Sequence, residues 1–144
     1  MLRTFAPAHL EAARLAAGIR AVLDKYPSGE AIERLAAVGF AYTIFSHDDA
    51  VLGVAGIVPT GVNVGEVFVV SAEDRHAHRV EFARSVRQIL KRACARFDKI
   101  RALGDDTPLL TRWFTWLGFE RTGISYRPGC EGKIVWEMEG LRCR

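Results

Sequence analysis

A chain of 144 residues with 49% hydrophobic and 26% charged residues has the size of a single domain, and such a domain buries about two-thirds of the surface its unfolded form exposes. No apolar run reaches the roughly 18 residues that span a bilayer, and Arg3 is followed by no apolar core of signal-peptide type, so neither a membrane span nor secretion is expected. The net charge of +3 is mild, and Cys94, Cys130 and Cys143 show no metal-ligand pair spacing, which predicts reduced thiols and a cytoplasmic location.

The first helical pattern opens at Pro7-Ala8-His9-Leu10 and carries apolar residues at three- and four-residue steps to about Leu23. Pro27-Ser28-Gly29 breaks it, and Glu30 to Val38 reads as a short second helix stopped by Gly39. Phe40 to Phe45 is aromatic and β-branched and reads as a strand. Ser46-His47-Asp48-Asp49 is turn chemistry, and Val51 to Val58 is the second arm of an antiparallel hairpin that Pro59-Thr60-Gly61 ends. Val64 to Ser71 is the next strand.

From Arg75 to Phe97 the spacing predicts an amphipathic helix, with Phe82, Val86, Ile89, Leu90 and Ala93 on one face and Arg84, Arg87 and Lys91 opposite. This segment holds seven Lys/Arg against one acid, Glu81. Without a helix-turn-helix, zinc or aromatic–basic signature beside it, the charge run reads as a solvated face and nucleic acid is not an expected partner. Lys99 to Leu103 is a strand. Asp105-Asp106-Thr107-Pro108 starts a helix with Leu109, Leu110, Trp113, Phe114 and Leu117 inward and Gly118 as its stop. Strands near Glu120–Tyr126 and Lys133–Glu139 follow, joined by the loop at 127–132. The expected fold class is α/β, one domain over 1–144 with a mixed, mostly antiparallel sheet and helices on both faces.

His47-Asp48-Asp49 reads as a solvated turn. His76 and His78 alternate, but zinc needs three or four converging ligands and no third accompanies them in sequence, so no metal site is expected. Cys94 reads as packing in the helix.

The order strand 64–71, helix 75–97, strand 99–103 and a helix closing on Trp113-Phe114-Thr115-Trp116-Leu117-Gly118-Phe119 resembles the acyl-CoA-binding half of the GNAT superfamily of N-acyltransferases. It is most similar to the short GNAT-like proteins of tailed bacteriophages, with their glycine-poor loop, Arg-rich third helix and a fourth helix closing on Trp and Leu-Gly-Phe, here Trp113-x-x-x-Leu117-Gly118-Phe119. The family's Arg/Gln-x-x-Gly-x-Gly/Ala loop matches Arg75 to Val80, with His78 and Val80 at the glycine positions. There the unpaired N–H groups of a helix start would bind the CoA pyrophosphate.

The resemblance implies a single-domain GNAT-like fold. It implies acetyl-CoA lying along Val69, Val70 and Ser71, with Arg75, His76, His78, Arg79 and Val80 at the pyrophosphate. Glu66 stands where many members carry a general base for an amine acceptor. Thr107 and Phe114 stand where members often have an Asn and a proton-donating Tyr, leaving Tyr42 or Tyr126 to supply the acid. Two readings stand. One is an N-acetyltransferase acting on acetyl-CoA and an unknown amine. The other is a catalytically degenerate, phage-encoded assembly or protein-binding module that is virion-associated.

Overall fold

The computed structural model describes residues 1–6, 40–72 and 77–140. The two helices expected between Pro7 and Val38 lie outside the described residues, as do Arg75 and His76. Among the described residues seven strands and two helices are seen. They are β1 (Leu2–Thr4), β2 (Ala41–Phe45), β3 (Val51–Gly61), β4 (Val64–Ser71), α1 (Arg79–Cys94), β5 (Lys99–Gly104), α2 (Pro108–Leu117), β6 (Glu120–Ile124) and β7 (Ile134–Glu139).

The strands form one mixed sheet in the order β1-β2-β3-β4-β5-β7-β6. Pairs β1–β2, β2–β3, β5–β7 and β6–β7 are antiparallel and β4–β5 is parallel. By compactness the chain divides into two units, Met1–Val58 with Phe68–Ile89, and Pro59–Val67 with Leu90–Arg144.

In the first unit, β2 and β3 bury Ile44, Leu52, Val54 and Ile57 almost completely, and α1 adds Phe82, Val86 and Ile89. The hairpin expected from the turn residues is present, with Ser46 N–H donating to Ala50 O and Asp49 in the left-handed region at φ 62. β1 was not legible, since three residues carry no periodicity. It is held by the Met1 ammonium on Phe45 O and by Arg3, which pairs with Asp49 at 2.9 Å and lies over the Phe45 ring. β2 and β3 approach closely at Gly56, where a Cβ would come within 2.4 Å of Phe40 O. β3 runs through Pro59 to Gly61, where the turn residues had predicted its end.

In the second unit the apolar residues Ile100, Ala102, Phe114, Phe119, Ile134, Trp136 and Met138 are buried. α2 starts and stops where the sequence placed it. Thr107 caps it by accepting Leu110 N–H at 3.2 Å, Pro108 sits in its first turn, and Gly118 ends it in the left-handed region at φ 101. Phe114 stacks on Trp136 at 5.3 Å and meets Phe119 edge-on at 5.6 Å. Cys94 is buried, and Cys130 is free and half-buried. Among the described residues no helix is long and apolar enough to cross a membrane.

Candidate active site

Strand parity decides which side chains meet. Successive residues point to opposite faces of a sheet. In β5 Ile100 and Ala102 are buried while Lys99, Arg101 and Leu103 are half-buried, and β7 repeats the pattern with Ile134, Trp136 and Met138 buried. Register sets Glu66 opposite Arg101 and Arg101 opposite Glu137. Glu66, Arg101 and Glu137 therefore form a charged row across β4, β5 and β7 on the less buried face.

Glu66 is well shielded, with its side chain 17% exposed. Arg127, from the loop after β6, closes on it with a two-pronged ion pair, Nη1 to Oε1 at 2.8 Å and Nη2 to Oε2 at 2.6 Å. Arg127 is placed by its own N–H, which donates to Ser125 Oγ at 3.2 Å. The loop closes through Ser125 N–H on Lys133 O and Gly132 N–H on Ser125 O, with Gly129 and Gly132 supplying positive φ. Hydrogen bonding to Glu66 and its negative charge raise the Arg127 pKa. Both carboxylate oxygens of Glu66 are thus engaged in a charge-assisted pair.

Glu137 receives Lys99 Nζ at 3.2 Å, Thr122 Oγ1 at 3.2 Å and Arg101 Nη2 at 3.5 Å. Burial pushes its carboxyl pKa up, but the hydrogen bond and charge of Lys99, then Thr122 and Arg101, outweigh it and hold the pKa below the ordinary value. Arg101 Nε is buried without a hydrogen-bond partner. Arg101, Thr122, Ile124, Ser125, Arg127 and Glu137 line an open cavity of ≈ 390 Å³. Two guanidiniums, a carboxylate and two hydroxyls suit a small polar ligand better than an apolar one.

The residues expected at a cofactor are distributed as follows. Val69, Val70 and Ser71 end β4, with Val69 half-buried and Ser71 buried. His78 lies in the turn before α1, and Arg79 and Val80 are the exposed first residues of that helix. The helix runs from Arg79 to Cys94 within the stretch expected over Arg75 to Phe97, and Arg75 and His76 lie outside the described residues. His78 does not stand alone. Its Nδ1 is 3.4 Å from Glu81 Oε1, and His47 Nδ1 reaches the same oxygen at 2.8 Å. Hydrogen bonding to Glu81, then Glu81's charge, raises the His47 pKa, and the same bond lowers that of Glu81.

This helix start fits an anionic group in a limited way. A helix of 16 residues offers unpaired N–H groups and a positive dipole end. Arg79 is exposed there, and the charge of Glu81 is shared with two imidazoles. A diphosphate would find its cation in Arg79, while His78 is already engaged with Glu81.

The structure thus pairs Glu66 with Arg127 and sets it in a row with Arg101 and Glu137, an arrangement the sequence does not display. Arg127 lies 61 positions from Glu66, in a loop with no periodicity to place it. Phe114, at the position of the family's Tyr, is a buried core residue. Of the two substitutes considered, Tyr126 is 87% exposed and Tyr42 packs edge-on against Phe40.

The fold is that of GNAT acetyltransferases of known structure. No protein-family model and no curated protein matches the chain, but solved structures do. A chimera of spermidine N-acetyltransferase SpeG from Vibrio cholerae and hSSAT is similar at TM-score 0.73 and 12% identity, covering 99% of this chain and 98% of that one. An aminoglycoside 6'-N-acetyltransferase complexed with coenzyme A is similar at TM-score 0.70 and 15% identity, covering 97% of each. A GNAT superfamily phosphinothricin acetyltransferase from Sinorhizobium meliloti in complex with AcCoA is similar at TM-score 0.67 and 14% identity, covering 96% of this chain and 87% of that one.

Proposed function

We propose that the chain is an acyl-CoA-dependent N-acyltransferase that moves an acetyl group from acetyl-CoA to an amine. The observation that carries this reading is the full-length likeness of fold to N-acetyltransferases, two of them holding coenzyme A or AcCoA. Those structures are enzymes, and the reading as an assembly module of phage origin gains nothing from them.

Acetyl-CoA supplies the acyl group as an activated thioester. In this reading the backbone of Val69, Val70 and Ser71 runs along it, and an N–H of that strand polarises the acyl carbonyl. Arg79 and the first N–H groups of α1 hold the pyrophosphate, together with Arg75 and His76. Glu66 takes the proton that an ammonium acceptor must lose before its nitrogen can attack; the carbon–sulfur bond of the thioester breaks as the amide forms, and CoA leaves as a thiolate that takes its proton from solvent. Arg127 acts before that step, as the partner Glu66 exchanges for the incoming amine. Its loop, rich in glycine, supplies the freedom for that exchange. Arg101, Glu137, Thr122 and Ser125 offer the acceptor its polar contacts. Such an enzyme works where acyl-CoA is available, and in that sense a cytoplasmic location belongs to the proposal.

The test is release of free CoA thiol from acetyl-CoA with a panel of polyamines, aminoglycosides, amino acids and peptide N-termini. Acceptor-dependent release, reduced about a hundredfold or more by Glu66→Gln, is expected. Release no faster than the uncatalysed rate with every acceptor would end the proposal.

A further inference from the structure

His47, His78 and Glu81 come from separate places in the chain, the turn between β2 and β3 and the start of α1, yet their donor atoms all lie within 4.8 Å of one another. We propose that these three residues bind a divalent transition-metal ion of the zinc or nickel type.

The donor set is right for such an ion. Two imidazoles and one carboxylate suit zinc, nickel or copper, whereas magnesium and calcium prefer oxygen donors. The spacing is close to what the ion needs. Ligands at about 2.0–2.1 Å in a tetrahedron stand about 3.3 Å from each other. The His78 Nδ1 to Glu81 Oε1 separation is already 3.4 Å, and the His47 Nδ1 to Glu81 Oε1 separation of 2.8 Å has to open by about half an ångström. The side chain of His47 is 75% exposed, so it has room for that movement.

The group is also held in place by its surroundings. The other carboxylate oxygen of Glu81 accepts the backbone N–H of His47 at 3.1 Å, leaving Oε1 turned to both rings. A hydrogen bond to a ligating carboxylate is the kind of support that fixes ligand orientation. The turn that carries His47 is itself fixed. Ser46 Oγ bonds to Asp48 and accepts Ala50 N–H at 3.1 Å, while Asp49 N–H donates to Ser46 O. His78 is mostly buried, with its side chain 19% exposed. The two rings meet at 5.6 Å with planes inclined by 63°, so neither stacks flat over the other. Three protein donors leave a fourth position for water or an anion, as in open zinc sites.

The test is calorimetric titration of ZnCl2 into the untagged full chain, with NiCl2 and MgCl2 as companions and imidazole proton NMR as a second readout. Saturable one-to-one binding of zinc and nickel in the micromolar range is expected, with no saturable binding of magnesium. Zinc should move the ring resonances of His47 and His78 together. Affinity should fall at least about tenfold in His47→Ala and in Glu81→Gln and stay the same in Cys130→Ser. His47 is exposed enough for its replacement to leave the fold intact, so that variant decides even if Glu81→Gln proves unstable. Absence of saturable zinc binding, or zinc binding unchanged in His47→Ala, overturns the assignment.

Discussion

At the residue scale the bidentate Arg127–Glu66 pair ties the loop after β6 to β4. Arg127 is nearly half exposed, at 46% for its side chain, so the pair contributes little to folding. Exposed ion pairs contribute at most about 1 kcal/mol. Arg127→Ala should therefore shift the midpoint of urea unfolding only slightly, and a large loss of stability in that variant would show that the loop has a structural task. Glu137 behaves differently, because its folded pKa is lowered by Lys99, Thr122 and Arg101 against the push of burial. A carboxylate with a depressed folded pKa contributes stability above its unfolded value, near 4.5, and loses it as pH falls through the folded value. Glu137→Gln should be less stable than the parent at pH 7 by about 1 kcal/mol. The gap should narrow as pH falls below the unfolded value, as measured by denaturant unfolding across that range. A gap that stays constant with pH would show that ionisation of Glu137 is not its source.

At the element scale α2 shows how much of a fold can be read from a chain. Thr107, Pro108 and Gly118 are cap, first-turn and stop residues whose conformations are dictated locally, so its bounds were legible to the residue. β4 was legible for a similar reason, as a short β-branched run between turn signals. β1 and the start of α1 were not. Three residues of strand depend wholly on their partner β2, and the apolar face of α1 first shows at Phe82, after the helix has begun at Arg79, so the spacing does not mark its start. Two substitutions test the packing of these elements. Thr107→Ala removes the cap and should cost about 1 kcal/mol. Gly104→Ala would bring a Cβ to 2.7 Å from Phe114 Cε2, and such overpacking costs roughly 1–3 kcal/mol. Both are measured by thermal or urea unfolding, and a Gly104→Ala chain as stable as the parent would mean that the Phe114–Trp136–Phe119 cluster yields easily.

At the scale of the whole molecule, the order of strands and helices was legible because hydrophobic period and turn chemistry are local signals. The candidate site was legible only in part. Glu66 could be singled out from its strand, but Arg127, Arg101 and Glu137 reach it through register and a loop, and register follows from pairings between distant segments. The same holds for His47 and Glu81, which are 34 positions apart. His78 and Val80 stand at the two glycine positions of the loop pattern that the sequence resembles, and the proposed function asks the helix start to bind a diphosphate without those glycines. The most direct test is calorimetric titration of acetyl-CoA into the purified full chain, beside Arg79→Ala. Saturable one-to-one binding in the micromolar range is expected, weakened about three- to tenfold in Arg79→Ala by loss of an exposed charge-assisted contact. No saturable binding to the folded protein would contradict it.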